Sequence, residues 1–258
     1  MQTLNCNFHI HSQRSACAGA EMTLVNILRE SDRLGYQRIG ICDHAHRKRD
    51  GMAEHLRLAR STVKRLGSKV EVLLGCEAEM HSPADISISR ATAKECDYVL
   101  VAANHYHLSW VENPRLKSAR AYARHYLKMF EGAIDSGLCH VVAHPFVIWR
   151  IQGVETEEIF RCYRDGDLRF LLKKAAKRDV ALELNPRHAL QFSGFFRRLL
   201  EICRSAGCQF VVGSDAHALQ AIRLPISCQQ LSRLGFRNDD FIVPAKCRQS
   251  GGAVPAQA

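Results

Sequence analysis

A chain of 258 residues, 47% of them hydrophobic, can bury the core of one barrel-sized domain or of two small ones. It has no run of about 18 apolar residues, which argues against a membrane-crossing helix. Its opening MQTLNCNFHIHSQ lacks the basic-then-apolar order of a signal peptide, so the expected compartment is the cytoplasm. The net charge of +10 favours phosphates, nucleotides or nucleic acid as partners, but no Lys/Arg block dominates and a solvated basic surface explains it equally. The 11 cysteines are scattered, and Cys42, Cys76, Cys139 and Cys208 sit inside apolar runs. Without a CxxC pair, buried free thiols are expected rather than a disulfide framework or a zinc ribbon.

In chain order, strand-like and helix-like segments alternate. Residues 4–10 read as a first strand ending in His9 and His11, and 23–34 as a helix with Leu24, Ile27, Leu28 and Leu34 on one face. A second strand, 38–42, leads into Asp43 and His44, and a helix follows over 53–66. A third, 70–76, leads into Glu77, with a weaker helix at 89–95. The fourth, 98–103, leads into His105 and His107, before a helix over 119–136. The fifth, 140–143, leads into His144, and 157–177 reads as one long helix. The sixth, 180–184, contains Glu183 and precedes Asn185 and Arg187, with a helix over 195–206. The seventh, 210–213, leads into Asp215 and His217. Gly35, Gly67, Gly137 and Gly207 follow four of the helices, where a left-handed C-terminal cap is favoured.

Short apolar strands joined by helices predict a parallel sheet. Ligand-type residues at six strand ends favour a closed barrel, because every strand then delivers its C-terminal end to one mouth. The predicted architecture is a distorted seven-stranded (β/α)7 barrel over residues 1–247, with a small polar tail at 248–258 expected to be disordered.

The spacing of His9 and His11 puts two imidazoles on one face of a strand. Asp215 and His217 repeat that spacing on the last strand, which closes against the first in a barrel, so His9, His11 and Asp215 are expected to meet. Glu77 reads as a carboxylate shared by two cations, since an unpaired buried charge after an apolar strand is costly. His105 and His144 would complete a second site, and His44 and His217 a third. These nitrogen and oxygen donors suit Zn, Mn or Fe. His46 and His107 read as supporting or substrate groups. His55, His81, His125, His140 and His188 read as structural or surface residues, Glu183 as a group orienting a ligand, and Asp43 as either such a group or a ligand itself.

The motifs FHIHS, ICDHAH, LLGCEAEM, YVLVAANHYH, VVAHPF, LELNPR and VVGSDAH together resemble the polymerase and histidinol phosphatase (PHP) domain family over nearly the whole chain. The resemblance implies a di- or trinuclear metal centre and hydrolysis of phosphoesters by attack of a metal-bridging hydroxide. It implies His9, His11, Glu77 and Asp215 around a first ion, Glu77, His105 and His144 around a second, and His44 and His217 around a third. Two positions depart from the family pattern. Asn7 stands where an Asp is common, and Ala16 and Cys17 stand where another third-site ligand is expected, so Cys17 is a candidate thiolate ligand. Arg187 is the candidate phosphate clamp, and His107, His188 or His46 the candidate leaving-group acid.

The expected function is a phosphatase acting on a small phosphomonoester. A phosphodiesterase or 3′–5′ exonuclease acting on nucleotides or short oligonucleotides is the alternative, with Tyr106, Trp110 and Trp149 as stacking groups. A non-catalytic, metal-stabilised subunit of a complex is the third reading.

Overall fold

The computed structural model describes residues 2–48 and 51–244, so the predicted domain boundary at 247 and the tail lie outside the described residues. Among the described residues there are eight strands: β1 (Cys6–Ile10), β2 (Arg38–Ala45), β3 (Glu71–Ser82), β4 (Asp85–Ile86), β5 (Val99–Ala102), β6 (Val141–Val142), β7 (Ala181–Leu184) and β8 (Phe210–Val212). Seven pair in the order β1-β2-β3-β5-β6-β7-β8, every pair parallel, while β4 folds back antiparallel on β3. A parallel bridge between Ile10 and Ala216 joins the first and last strands, through the His11 N–H donating to the Ala216 carbonyl at 2.9 Å. The result is a nearly closed barrel of seven parallel strands, as the alternating pattern predicts.

The connecting helices are α1 (Leu24–Arg33), α2 (Met52–Leu66), α3 (Arg90–Glu95), α4 (Ala119–Asp135), α5 (Thr156–Cys162), α6 (Asp165–Lys177), α7 (Pro186–Gln191), α8 (Ser193–Ala206) and α9 (Cys228–Arg233). Thr23, Ser89 and Ser118 cap α1, α3 and α4 with side-chain oxygens. The four predicted C-terminal glycines all take positive φ. The segment 157–177 is two helices rather than one. Tyr163 and Arg164 are extended, which turns the Tyr163 ring into a buried cluster with Tyr126, Phe146 and Phe195.

Strand alternation divides the core. Leu74, Cys76, Ala78 and Met80 of β3 pack outward under the helices, while Leu73 packs inside the barrel with Phe8, Cys42, Tyr98, Leu100, Val141 and Val211. The inward positions are apolar at the bottom and polar at the top. Cys42 is followed by His44, Leu73 by Glu77, Ala181 by Glu183 and Val211 by Asp215, always at even spacing. The first strand reaches the same result by a register shift between Asn7 and Ile10. One extra residue there re-aims the chain, so Phe8 packs inside below it and His9 and His11 face inward above it.

Candidate metal centre

Two predicted strand ends lie inside longer strands. β2 runs through Asp43 and His44, and β3 runs past Glu77 because β2 and β5 pair with it to Ala78 and Glu79 and β4 pairs with its far end. These extensions carry the inward row of side chains further up the mouth.

His9 and His11 are fully buried, with their Nε2 atoms 3.0 Å apart. The other nitrogen of each ring fixes its tautomer. His9 Nδ1 lies 2.9 Å from Oε1 of Glu183, a carboxylate that can only accept. His11 Nδ1 lies 3.2 Å from Ser15 Oγ, whose single proton goes to Asp43 Oδ1 at 2.8 Å. Both rings therefore donate through Nδ1 and turn Nε2 lone pairs toward each other. Two lone pairs at that separation repel unless a cation lies between them, so the donor set fits a metal ion. Asp215 Oδ1 closes the group, 3.1 Å from His11 Nε2 and 3.5 Å from His9 Nε2.

Glu77 links this group to a second. Its Oε1 lies 2.9 Å from His144 Nε2, and His105 Nε2 is 3.2 Å from the same His144 nitrogen. Its Oε2 lies 3.0 Å from His44 Nδ1 and 3.5 Å from the Nε2 atoms of His9 and His11, yet it is buried with no hydrogen-bond partner. Burial alone would raise the Glu77 carboxyl, but His44, His9 and His144 outweigh it and hold it well below the usual range. Burial, which disfavours the charged imidazole, pushes His11 down to about 4.

A third group forms from His11, His44 and His217. The rings of His44 and His217 lie 4.5 Å and 4.2 Å from that of His11, and His217 Nδ1 donates to the Asp215 carbonyl at 2.9 Å. Burial pushes the Cys17 thiol up, but hydrogen bonds with His217 and His44 outweigh it and bring it to about 6. Eight of the nine residues predicted as ligands thus fall into these groups, while Cys17 lies outside them.

The supporting groups are more extensive than the sequence suggested. Glu183 does orient His9, and its Oε2 also accepts the His144 N–H. A Cβ at residue 213 would collide with the side chains of Glu183 and His9, so only glycine permits this packing. His144 and Asp215 both take positive φ, strain of the kind that collects at functional sites. Asp43 reaches His11 only through Ser15; it also accepts from Ser12 N at 2.7 Å, Ser12 Oγ at 2.6 Å and His55 Nε2 at 3.0 Å. Glu79 was not anticipated. It is fully buried, its Oε2 lies 2.7 Å from His105 Nδ1, and its Oε1 is 3.3 Å from His46 Nδ1. The spacing of Glu77 and Glu79 was the available signal, since alternate residues of a strand share a face.

The remaining predicted residues divide. His107 is exposed beside His105, with ring centroids 5.3 Å apart, and partial desolvation and the His105 charge push its pKa down. His188 packs on Trp149 at 4.8 Å and is pushed down to about 4 by burial. Arg187 is exposed in the first turn of α7, with its backbone N–H held by Asn185 Oδ1 at 3.0 Å. Tyr106 does not offer a stacking face. Its ring is buried and its hydroxyl pairs with His125 Nδ1 at 3.0 Å. His81 and His140 serve structure, through contacts with the His46 carbonyl and the Val99 N–H.

Asn7 is not part of the metal-facing set. Its amide donates to Ser214 Oγ at 2.8 Å and the Ile222 carbonyl at 2.9 Å, and accepts from Ser214 N at 3.0 Å. It ties β1 to the chain beyond β8. The PHP domain matches residues 7–187, a span that includes every motif from β1 to the start of α7.

The chain belongs to the PHP domain family. Membership with this donor set makes it a metal-dependent hydrolase of phosphoric esters. Among solved structures, it is similar to histidinol phosphate phosphatase from Lactococcus lactis, solved with zinc, L-histidinol and phosphate. The TM-score is 0.60 at 17% identity, over 90% of this chain and 94% of that one. It is also similar to the putative histidinol phosphatase of Listeria monocytogenes, with a TM-score of 0.59 at 13% identity, over 88% of this chain and 99% of that one. At such identities these likenesses show the shared fold. None of the curated proteins matches the chain. No helix among the described residues is long and apolar enough to cross a membrane.

Proposed function

We propose that this protein is a phosphatase acting on a small phosphomonoester. The observation that carries the reading is Glu77, a buried carboxylate whose two oxygens face two separate imidazole groups, one of them without any hydrogen bond. His9, His11, Glu77 and Asp215 would hold one ion, Glu77, His105 and His144 a second, and His44, His217 and Cys17, with His11 beside them, a third. Two or three divalent ions, Zn, Mn or Fe, would supply a water activated near neutral pH and would offset charge on the phosphoryl oxygens.

The chain's own residues do the rest. Glu183 and Ser15 hold the ligand imidazoles in the tautomer that binds cations. Arg187, at the rim of the mouth, takes the phosphate oxygens in its guanidinium fork. His107 stands between the buried imidazoles and solvent, where it can pass a proton to the departing alcohol. His188 is uncharged near neutral pH, so it accepts or relays a hydrogen bond. The free thiols among the described residues fit a cytoplasmic setting.

A diesterase or exonuclease remains the second reading, favoured by the charge of +10. Against it, several basic side chains are held in surface pairs, among them Arg38–Glu71, Arg60–Asp97 and Lys174–Asp135. The deciding experiment is metal analysis of the purified protein with a panel of phosphomonoesters, phosphodiesters and oligonucleotides at two salt concentrations. Monoester turnover with weak salt dependence is expected, and His9→Ala and Asp215→Ala should abolish it. Turnover of diesters or oligonucleotides alone, with steep salt dependence, would overturn the phosphatase reading. A metal-replete protein inactive on every ester would support the non-catalytic subunit instead.

A further inference from the structure

Beside the three ion sites that the family pattern implies stands a cluster that none of them explains. His46 follows the end of β2, and Glu79 lies on β3 with its side chain fully buried. Ser87, just past β4, joins the two: its Oγ accepts the Glu79 N–H at 2.8 Å and donates to the Ala45 carbonyl. His81 Nε2 donates to the His46 carbonyl at 2.9 Å. These bonds fix the backbone under both side chains. Glu79 Oε1 then lies 3.3 Å from His46 Nδ1 and 3.5 Å from His44 Nδ1. All three atoms are buried, and none makes a hydrogen bond. The rings of His44 and His46 stack with centroids 4.9 Å apart, and the ligand atoms of the three residues lie within 4.8 Å of one another.

Buried polar atoms without partners are costly, and three that face one another call for a shared partner. Their spacing identifies it. Donors held about 2.0–2.2 Å from a tetrahedral ion lie about 3.3–3.6 Å apart, whereas a charge-assisted N–H···O bond closes to about 2.7–2.9 Å. Glu79 Oε2 makes such a bond with His105 Nδ1 at 2.7 Å, while Oε1 of the same carboxylate stands at the longer spacing from both other rings. We propose that His44 Nδ1, His46 Nδ1 and Glu79 Oε1 form a further cation site, of the open three-ligand kind that keeps a fourth position for water. Two imidazoles and one carboxylate select zinc or a similar transition-metal ion over magnesium or calcium. A neutral imidazole offers one lone pair, so His44 serves this ion or the one beside His217, not both. The outer place has the fuller donor set. In the third group His11 already turns Nε2 to His9 and Nδ1 to Ser15. His46 has a side chain 39% exposed, with Trp110 edge-on to it at 5.6 Å, so the ion enters from the rim without passing the Glu77 centre.

Zinc-loaded crystals of the full chain, measured on both sides of the zinc absorption edge, test the site in the unaltered protein. An anomalous peak is expected about 2.0–2.2 Å from His46 Nδ1 and from Glu79 Oε1. In solution, cobalt reports which residue touches the ion. Cys17→Ser removes the thiol that interacts with His44. Adding His46→Cys to that variant should create a sulfur-to-metal charge-transfer band beyond anything Cys17→Ser shows alone, and adding His46→Ser should not. The crystal measurement needs no substitution, so it holds even if a variant misfolds. No peak at this place while the Glu77 centre is filled, or no new band with His46→Cys, would overturn the site. Either result leaves the phosphatase reading intact, because that reading rests on the Glu77 centre and is decided by the ester panel. Zinc-soaked crystals with the Glu77 centre empty as well would sink both.

Discussion

Glu79 Oε2 lies 2.7 Å from His105 Nδ1, and Glu79 stands two residues beyond Glu77 on the same face of β3. One strand therefore supplies both a carboxylate shared by the two imidazole groups and a second that turns His105 Nε2 toward the first. Glu79→Ala is expected to lower metal affinity or turnover by about 10–100-fold, and Glu79→Gln, which still accepts from Nδ1, should recover part of it. Metal titration of both variants followed by calorimetry checks this. Equal losses in the two would leave His105 orientation without a role.

Asn7 uses both ends of its amide, donating to the Ile222 carbonyl and accepting from the Ser214 N–H. An aspartate cannot donate. Asn7→Asp is therefore expected to cost about 2 kcal/mol of stability, the size of a buried acceptor facing a carbonyl. Urea unfolding at neutral pH measures it. An unchanged midpoint would show that the barrel closure does not depend on this amide.

The imidazoles of His217 and His44 draw the Cys17 thiol down to about 6. If it ligates, cobalt-loaded protein will show a sulfur-to-metal charge-transfer band. Cys17→Ser should lose the band and one equivalent of metal, and Cys17→His should keep the equivalent without the band. A band that persists in Cys17→Ser would point to another thiol.

Asp240 accepts two hydrogen bonds from the Arg204 guanidinium, at 2.8 and 2.7 Å. Burial opposes ionisation, but Arg204 outweighs it and the carboxyl is held below its ordinary value. The stability this contributes is present above the unfolded carboxyl pKa of about 3.9 and is lost as pH falls through the lower folded value. Arg204 is partly exposed, so solvent screening keeps the effect to about 1 kcal/mol. Thermal melts should show Asp240→Asn less stable than the parent at neutral pH, with the gap closing below about pH 3.9. A gap constant across that range would assign the loss to packing.

Much of the site was legible because a parallel strand buried on both faces has little reason to end in His, Asp or Glu. The run FHIHS in β1 and the run VVGSDAH in β8 and beyond it could be read as neighbours once closure was assumed. Glu79 was missed because β3 was expected to stop before Glu77, whereas pairing with β2 carries it to Ala78, with β5 to Glu79, and with β4 beyond that. Ser15 was missed because serine in a loop carries no signal until its partners, Asp43 and His11, are known. The split of 157–177 escaped because its apolar spacing continues across Tyr163, whose extended backbone depends on ring contacts with other helices.

What the sequence alone determined is local and periodic: alternating strands and helices, their glycine caps, and the residue types that each strand carries to the mouth. Those follow from rules acting over a few residues. Tertiary structure alone decided how they meet. The bulge after Asn7 turns His9 and His11 inward, the Ile10–Ala216 bridge brings Asp215 to them, and Ser15 and Glu183 choose the nitrogen that each ring presents. Each is a contact between residues far apart in the chain, whose free energy depends on a three-dimensional arrangement that no local spacing encodes.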